Sequence, residues 1–281
     1  MTNLLIALKN LAEDPIADII AQYKSSNRAN NMGDALEYYI RDIFCGSRNI
    51  YDENTKNEVY CKNFSYLGNQ NNPPDIIIRN GDAIEVKKVE SYNSGLALNS
   101  SYPKAKLFAN SPMITSKCKK CENWSVKDII YAVGVSQNKM LRVLWLVYGD
   151  CYAADQEIYE RIKNKISNGI TELEGVEFSE TKELGRVNKV DPLGITYLRI
   201  RGMWHINNPI KVFNYITSVD KNMNFNVNAI MLKDKYLSFP EEDRNNIESL
   251  NGKLLIIKDV RIKSPNNPAD LLDAKLIRMV F

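Results

Sequence analysis

Residues 73–89, Pro-Pro-Asp-Ile-Ile-Ile-Arg-Asn-Gly-Asp-Ala-Ile-Glu-Val-Lys-Lys-Val, constrain the chain more than any other stretch. They read as two short strands around a turn: Asp75 opens the apolar run Ile76–Ile78, and Asn80-Gly81 is a strong turn signal. The second run alternates, with Ile84 and Val86 on one face and Ala83, Glu85 and Lys87 on the other. Loop length then decides which side chains meet. A three-residue loop, Arg79-Asn80-Gly81 with Gly81 left-handed, pairs Ile78 with Asp82 and sets Asp75 opposite Glu85. Asp75, Glu85 and Lys87 then share one face, and Ile76, Ile84 and Val86 share the other. A two-residue turn would put Asp75 on the wrong face. Two carboxylates and an ammonium at the edge of an apolar sheet carry a desolvation cost that a cation relieves.

The spacing Pro74-Asp75 followed by Glu85-Val86-Lys87 resembles the PD-(D/E)xK nuclease superfamily. The resemblance implies that Asp75 and Glu85 hold Mg²⁺ and that Lys87 positions or activates the attacking water. The chemistry is coherent, because a hard divalent ion takes carboxylate oxygens and keeps several waters. It lowers the pKa of water and stabilises charge on a phosphate. The plain alternative is an ordinary hairpin with a solvated charged face.

The remainder of the chain fits an enzyme core. It has 281 residues, 44% hydrophobic and 25% charged, enough for one large domain with an ample interior. A net charge of only +3 means that any DNA-binding surface must gather positive charge on one side. The first residues show no signal-peptide pattern, and no apolar run reaches membrane-spanning length. Five cysteines, an odd number, suit a reducing cytoplasm. Cys118-Lys-Lys-Cys121 is a lone CxxC without a second pair, so no structural zinc is expected.

Residues 3–44 read as helical. Apolar stripes run through Leu4, Leu5, Leu8 and Leu11, through Ile16, Ile19, Ile20 and Tyr23, and through Met32, Ala35, Leu36, Tyr39, Ile40, Ile43 and Phe44. Glu37 lies beside the last stripe. In the superfamily a helix before the hairpin often supplies a further acidic residue, and Glu37 is the candidate; the alternative is an ion pair with Arg41 one turn on. Glu58–Phe64 reads as a strand. Val126–Val135 and Leu141–Tyr148 read as core strands, and Asp155–Ser167 as a helix with Ile158, Ile162 and Ile166 at four-residue steps. Strands at 227–232 and 253–263, a helix at Pro240–Leu250 and an apolar closing segment from Asp270 complete an α/β pattern without a linker. The expected fold is a restriction-endonuclease-like core, a mixed central sheet flanked by helices, with strand-rich carboxy-terminal additions in a single domain over 1–281.

Two further segments suit DNA. The Ser-, Asn- and Lys-rich stretch Leu96–Lys106 offers hydroxyls, amides and the ammonium groups of Lys104 and Lys106 for phosphates. In 184–213, alternation puts Thr196, Leu198 and Ile200 on one face and Tyr197, Arg199 and Arg201 on the other, with Arg186 and Lys189 preceding them. The competing reading is a strand whose arginines pair with carboxylates at the edge of the core. The hairpin, the Leu96–Lys106 stretch and the Arg199-Ile-Arg-Gly-Met-Trp segment together resemble type II restriction endonucleases of the NgoPII group, which recognises GGCC. That resemblance implies double-stranded DNA as substrate and a homodimer, since two subunits related by a two-fold axis can cut both strands of a palindrome. A repair or structure-selective nuclease, or a non-catalytic DNA-binding protein on the same core, are the alternatives.

Overall fold

The helical stripes behave as their spacing demands. In the structure, a computed structural model that describes residues 1–24, 32–69, 72–111 and 113–281, helices α1 (Leu4–Glu13), α2 (Ile19–Lys24) and α3 (Met32–Cys45) open the chain. Residues 25–31, in the middle of the stretch read as helical, lie outside the described residues. Leu4, Leu5, Leu8 and Leu11 of α1 are buried, as is the whole stripe from Met32 to Phe44 on α3. Asn3 caps α1 by accepting the Leu5 and Ile6 amides.

Next come helix α4 (Glu53–Asn63) and strands β1 (Phe64–Asn69), β2 (Asn72–Ile78) and β3 (Ala83–Val89). The short strands β4 (Leu96–Ala97) and β5 (Lys106–Phe108) and helix α5 (Ser116–Lys119) lead to the long strands β6 (Val126–Gln137) and β7 (Met140–Tyr148). Helix α6 (Gln156–Thr171) precedes β8 (Glu177–Ser179), β9 (Gly185–Asn188), β10 (Leu198–Ile200) and β11 (His205–Ile206). After α7 (Pro209–Val212) the chain closes with β12 (Asn226–Leu232), α8 (Lys233–Ser238), α9 (Glu241–Glu248), β13 (Ile256–Lys263) and β14 (Leu271–Val280).

The central sheet runs in the order β1-β2-β3-β6-β7-β12-β14-β13, with β5 attached to the start of β6. The β3–β6 and β7–β12 pairs are parallel and the other pairs are antiparallel. This is the expected mixed α/β architecture, and its carboxy-terminal strands do extend the sheet. The run of buried residues along β6 and β7 reflects cover on both faces, as the unbroken apolar stretches predict. Helix α3 lies tight on that sheet. A Cβ on Gly134 of β6 would stand 2.6 Å from Leu36 Cδ2, so glycine is what lets the helix approach. Two small sheets stand apart from the main one, β8–β9–β10 and β4–β11.

One expectation about the elements is corrected. Glu58–Phe64 is helical up to Asn63, because Asp52 caps α4 and the helix turns Lys56 and Tyr60 inward, one turn apart, onto a polar target. No apolar stripe announces such a helix, so periodicity alone misreads it. Helix α6 forms where its spacing predicts, and its isoleucines stay at the surface: Ile158, Ile162 and Ile166 are between 41 and 45% exposed.

That polar target is Asp42. Its side chain is fully buried and accepts from the hydroxyls of Tyr23, Ser47 and Tyr60 and from Lys56 Nζ at 2.5–2.9 Å, tying α2, α3 and α4 together. A buried ion pair that loses one member leaves an uncompensated charge. Asp42→Ala is therefore expected to lower unfolding stability by ~3–5 kcal/mol in urea titrations. A loss within the ~0.5 kcal/mol typical of surface substitutions would show that the network contributes little.

Candidate active site

The hairpin register sets the site. Ile78 donates its N–H to Asp82 O and accepts from Gly81, closing the three-residue loop, and the ladder pairs Ile77 with Ala83 and Ile76 with Ile84. The left-handed residue is Asn80, with φ at 54°, and not Gly81; asparagine tolerates this conformation, and the count of three residues is unchanged. The ladder stops at Ile76–Ile84. The next backbone donor on β3, Val86 N–H, is taken by Asp75 Oδ2 at 2.6 Å. A side chain thus replaces a ladder bond and anchors the Asp75 carboxyl beside β3.

Asp75, Glu85 and Lys87 come together as the register predicts, lining a cleft of about 530 Å³. Lys87 Nζ lies 2.6 Å from Glu85 Oε1. The other oxygen, Glu85 Oε2, is buried without a hydrogen-bond partner. Burial raises the pKa of the Asp75 carboxyl, and the charge of Glu85 raises it further, against the pull of Lys87 and the Val86 amide. Burial works against the Lys87 ammonium, but Glu85 beside it prevails and holds its pKa above the usual lysine value. A buried orphan carboxylate oxygen next to a second carboxyl that resists ionisation is a site short of positive charge, and a hard divalent cation fits it. Among the described residues no group of three or more His, Cys, Asp or Glu side chains is placed to hold a metal. The protein therefore offers two carboxylates, and water would complete the shell of an ion such as Mg²⁺.

Glu37 stands beside this group without lining the cleft. It makes the ion pair with Arg41, at 3.2 Å, and burial raises its pKa, with Lys87 and Glu85 close enough to act on it electrostatically. The Arg41 ion pair of the second reading is thus present, and Glu37 lies within electrostatic range of Glu85 and Lys87.

Above the hairpin, Tyr131 of β6 faces Glu85 in register, and its hydroxyl accepts the Lys104 N–H at 2.7 Å. This holds the Leu96–Lys106 segment over the cleft. Lys104 is buried with Nζ 4.5 Å from the Tyr102 ring centroid, and burial draws its pKa down to about 8 against the charge of Glu85. Tyr131, Tyr102 and Ser100 were not singled out from sequence; the apolar run around Tyr131 hid a polar end that only strand pairing turns toward Glu85.

A family model for the NgoPII restriction endonuclease matches residues 2–263. The chain is 52% identical over 276 residues to the type II restriction enzyme NgoPII of Neisseria gonorrhoeae, covering 98% of each chain. This chain belongs to the NgoPII restriction endonuclease family. No solved structure matches it. It is a type II restriction endonuclease, a site-specific deoxyribonuclease acting on double-stranded DNA. Enzymes of this class draw on a divalent metal ion. Among the described residues no helix is long and apolar enough to cross a membrane.

In this NgoPII family member the basic residues expected at DNA divide by position. Lys104 and Arg201 line the cleft. Lys106 does not; it pairs with Asp128 and Asp150. Lys189 pairs with Glu177 at the surface. Arg186 lies 3.8 Å from the Tyr197 ring centroid. Arg199 and Arg201 converge on Glu183, another cleft residue that sequence reading passed over. The five cysteines are free thiols; Cys118 is buried, and its carbonyl accepts from Trp124 Nε1 at 3.3 Å.

The raised Asp75 pKa has a stability consequence in metal-free protein. Its contribution is fully present below the ordinary carboxylate range and is lost as pH rises through the raised value. In EDTA, Asp75→Asn should match the parent's unfolding temperature in acid and exceed it above neutral pH. Parallel stability profiles for the two proteins would contradict the perturbed carboxyl.

Proposed function

We propose that Asp75, Glu85 and Lys87 form the catalytic centre of this restriction endonuclease and that Mg²⁺ is the ion held by Asp75 and Glu85. The observation that carries this reading is the buried, unpartnered Glu85 Oε2 beside the Asp75 carboxyl. A bound divalent ion would neutralise the two carboxylates, acidify water and offset charge developing on the phosphate. Lys87, kept protonated by Glu85, would supply a donor for that water or for a phosphate oxygen. Lys104, held over the same cleft, would add a second positive group for phosphate. Glu37 would reinforce the negative field that draws in the cation.

The same proposal covers sequence reading and assembly. Arg199 lies on β10 and Arg201 just past its end, both held by Glu183, and arginine pairs best with guanine O6 and N7. A guanine-rich half-site, with GGCC as the candidate, follows from those two residues. Arg186, Lys189 and Tyr197 would flank them, with Lys106 as a backbone contact beside the cleft. Cutting both strands of such a palindrome calls for a homodimer, acting in the cytoplasm.

Digestion of a plasmid of known sequence with Mg²⁺, followed by mapping of the ends, is expected to give uniform double-strand cuts at GGCC. Ends at another single palindrome would replace the site but keep the enzyme class. Asp75→Ala, Glu85→Ala and Lys87→Ala should each lose at least ~10²-fold in single-turnover cleavage while remaining folded. Ca²⁺ should support binding but little cleavage, because its loose coordination positions water poorly. Full activity in EDTA, or in any of the three variants, would remove this catalytic centre.

A further inference from the structure

The two recognition arginines do not stand free. The nearest nitrogen of each to Glu183 Oε2 is Nε, at 3.0 Å for Arg199 and 3.2 Å for Arg201. The other carboxylate oxygen, Oε1, accepts from Ser100 Oγ at 2.7 Å. The Glu183 side chain is only 10% exposed, whereas those of Arg199 and Arg201 are 51 and 59% exposed. One shielded carboxylate therefore holds two exposed guanidiniums by their inner nitrogens.

That arrangement needs an explanation, because the same face is crowded with positive charge. Arg186 lies directly across the β9–β10 ladder from Arg199, and like charges placed opposite one another on neighbouring strands repel. Glu183 is the carboxylate that gathers Arg199 and Arg201 despite this. It does so at the mouth of the catalytic cleft, whose lining includes Glu183, Arg201 and Ser100 together with Asp75 and Glu85. Contact through Nε leaves the paired Nη groups at the outer end of each guanidinium, the edge that meets guanine O6 and N7 in a bidentate pair.

We propose that Glu183 is a specificity-determining positioning residue. It presets Arg199 and Arg201 as a double fork for base edges and, through Ser100, fixes that fork to the segment that carries Lys104 over the scissile site. This rests on the reading above that the two arginines contact bases. Long side chains lose rotamer freedom when they bind, and ordering them beforehand moves that cost out of the binding step. The carboxylate also places a negative charge near the DNA backbone, which weakens binding to every sequence alike. Glu183 thus sharpens discrimination at the expense of general affinity. An ordinary surface ion pair would do neither, since such pairs contribute little.

The test compares Glu183→Ala, Glu183→Gln, Arg199→Ala and Arg201→Ala in Ca²⁺, on a short duplex carrying the mapped cleavage site and on its single-base-substituted variants. Glu183→Ala is expected to bind substituted duplexes as well as the parent or better, and to lose about ten-fold or more of the cognate-to-substituted affinity ratio. Glu183→Gln keeps an acceptor oxygen and should recover part of that ratio, even if the alanine variant folds poorly. If either arginine variant flattens discrimination while both Glu183 variants keep it, the positioning role is wrong and the base-reading assignment stands. If neither arginine variant flattens it, the base-reading assignment fails, and the role of Glu183 falls with it.

Discussion

Two carboxyl groups share a buried position at the end of the β2–β3 hairpin, and much of the molecule is arranged around that constraint. Asp75 is held there by the Val86 amide, Glu85 by its place on β3 between the hairpin partner and β6. Burying two like charges side by side is unfavourable unless opposite charge is near. Lys87 satisfies one oxygen of Glu85 and leaves the other without a partner. The residual demand for positive charge is what sets this hairpin apart from an ordinary strand pair with a charged face.

The surrounding architecture keeps that unfavourable arrangement in place. The parallel β3–β6 pairing brings Tyr131 level with Glu85, and Tyr131 in turn holds the backbone of Lys104. Helix α3 reaches the sheet through the space left by Gly134, which brings Glu37 within electrostatic range of the same group. The position of α3 depends on the buried Asp42 network, far from the cleft in chemistry but continuous with it in packing. An unfavourable electrostatic site is thus carried on a frame in which the buried Asp42 carboxylate has both oxygens partnered.

The arginine segment and the Leu96–Lys106 stretch are joined by local contacts. Strand β11 pairs with β4, and Trp204 exchanges backbone hydrogen bonds with Leu98 and Asn99, so the segment after the arginines lies against the Leu96–Lys106 stretch. The Ser100–Glu183 bond adds a side-chain link at the same place. The arginine segment is thereby tied to the segment that lines the same cleft as Asp75 and Glu85.

Period and loop length are enough to read the geometry of the 73–89 hairpin from sequence. A period of two and a three-residue loop leave one arrangement of Asp75, Glu85 and Lys87, and the amphipathic stripes of α1 and α3 and the apolar runs of β6 and β7 needed no partner to be recognised. Helix α4 was illegible because its inner face is Lys56 and Tyr60, polar side chains that make sense only once Asp42 lies beneath them. The isoleucines of α6 have helical spacing, yet spacing cannot say whether anything covers them. The basic residues were found by type, but their partners were not: Lys106 meets Asp128 and Asp150 across 22 and 44 residues, and Glu183 reaches Ser100 across 83. Local backbone geometry is encoded within a few residues and can be read there. Which charge neutralises which depends on distances between segments remote in sequence, and only the folded chain sets those distances.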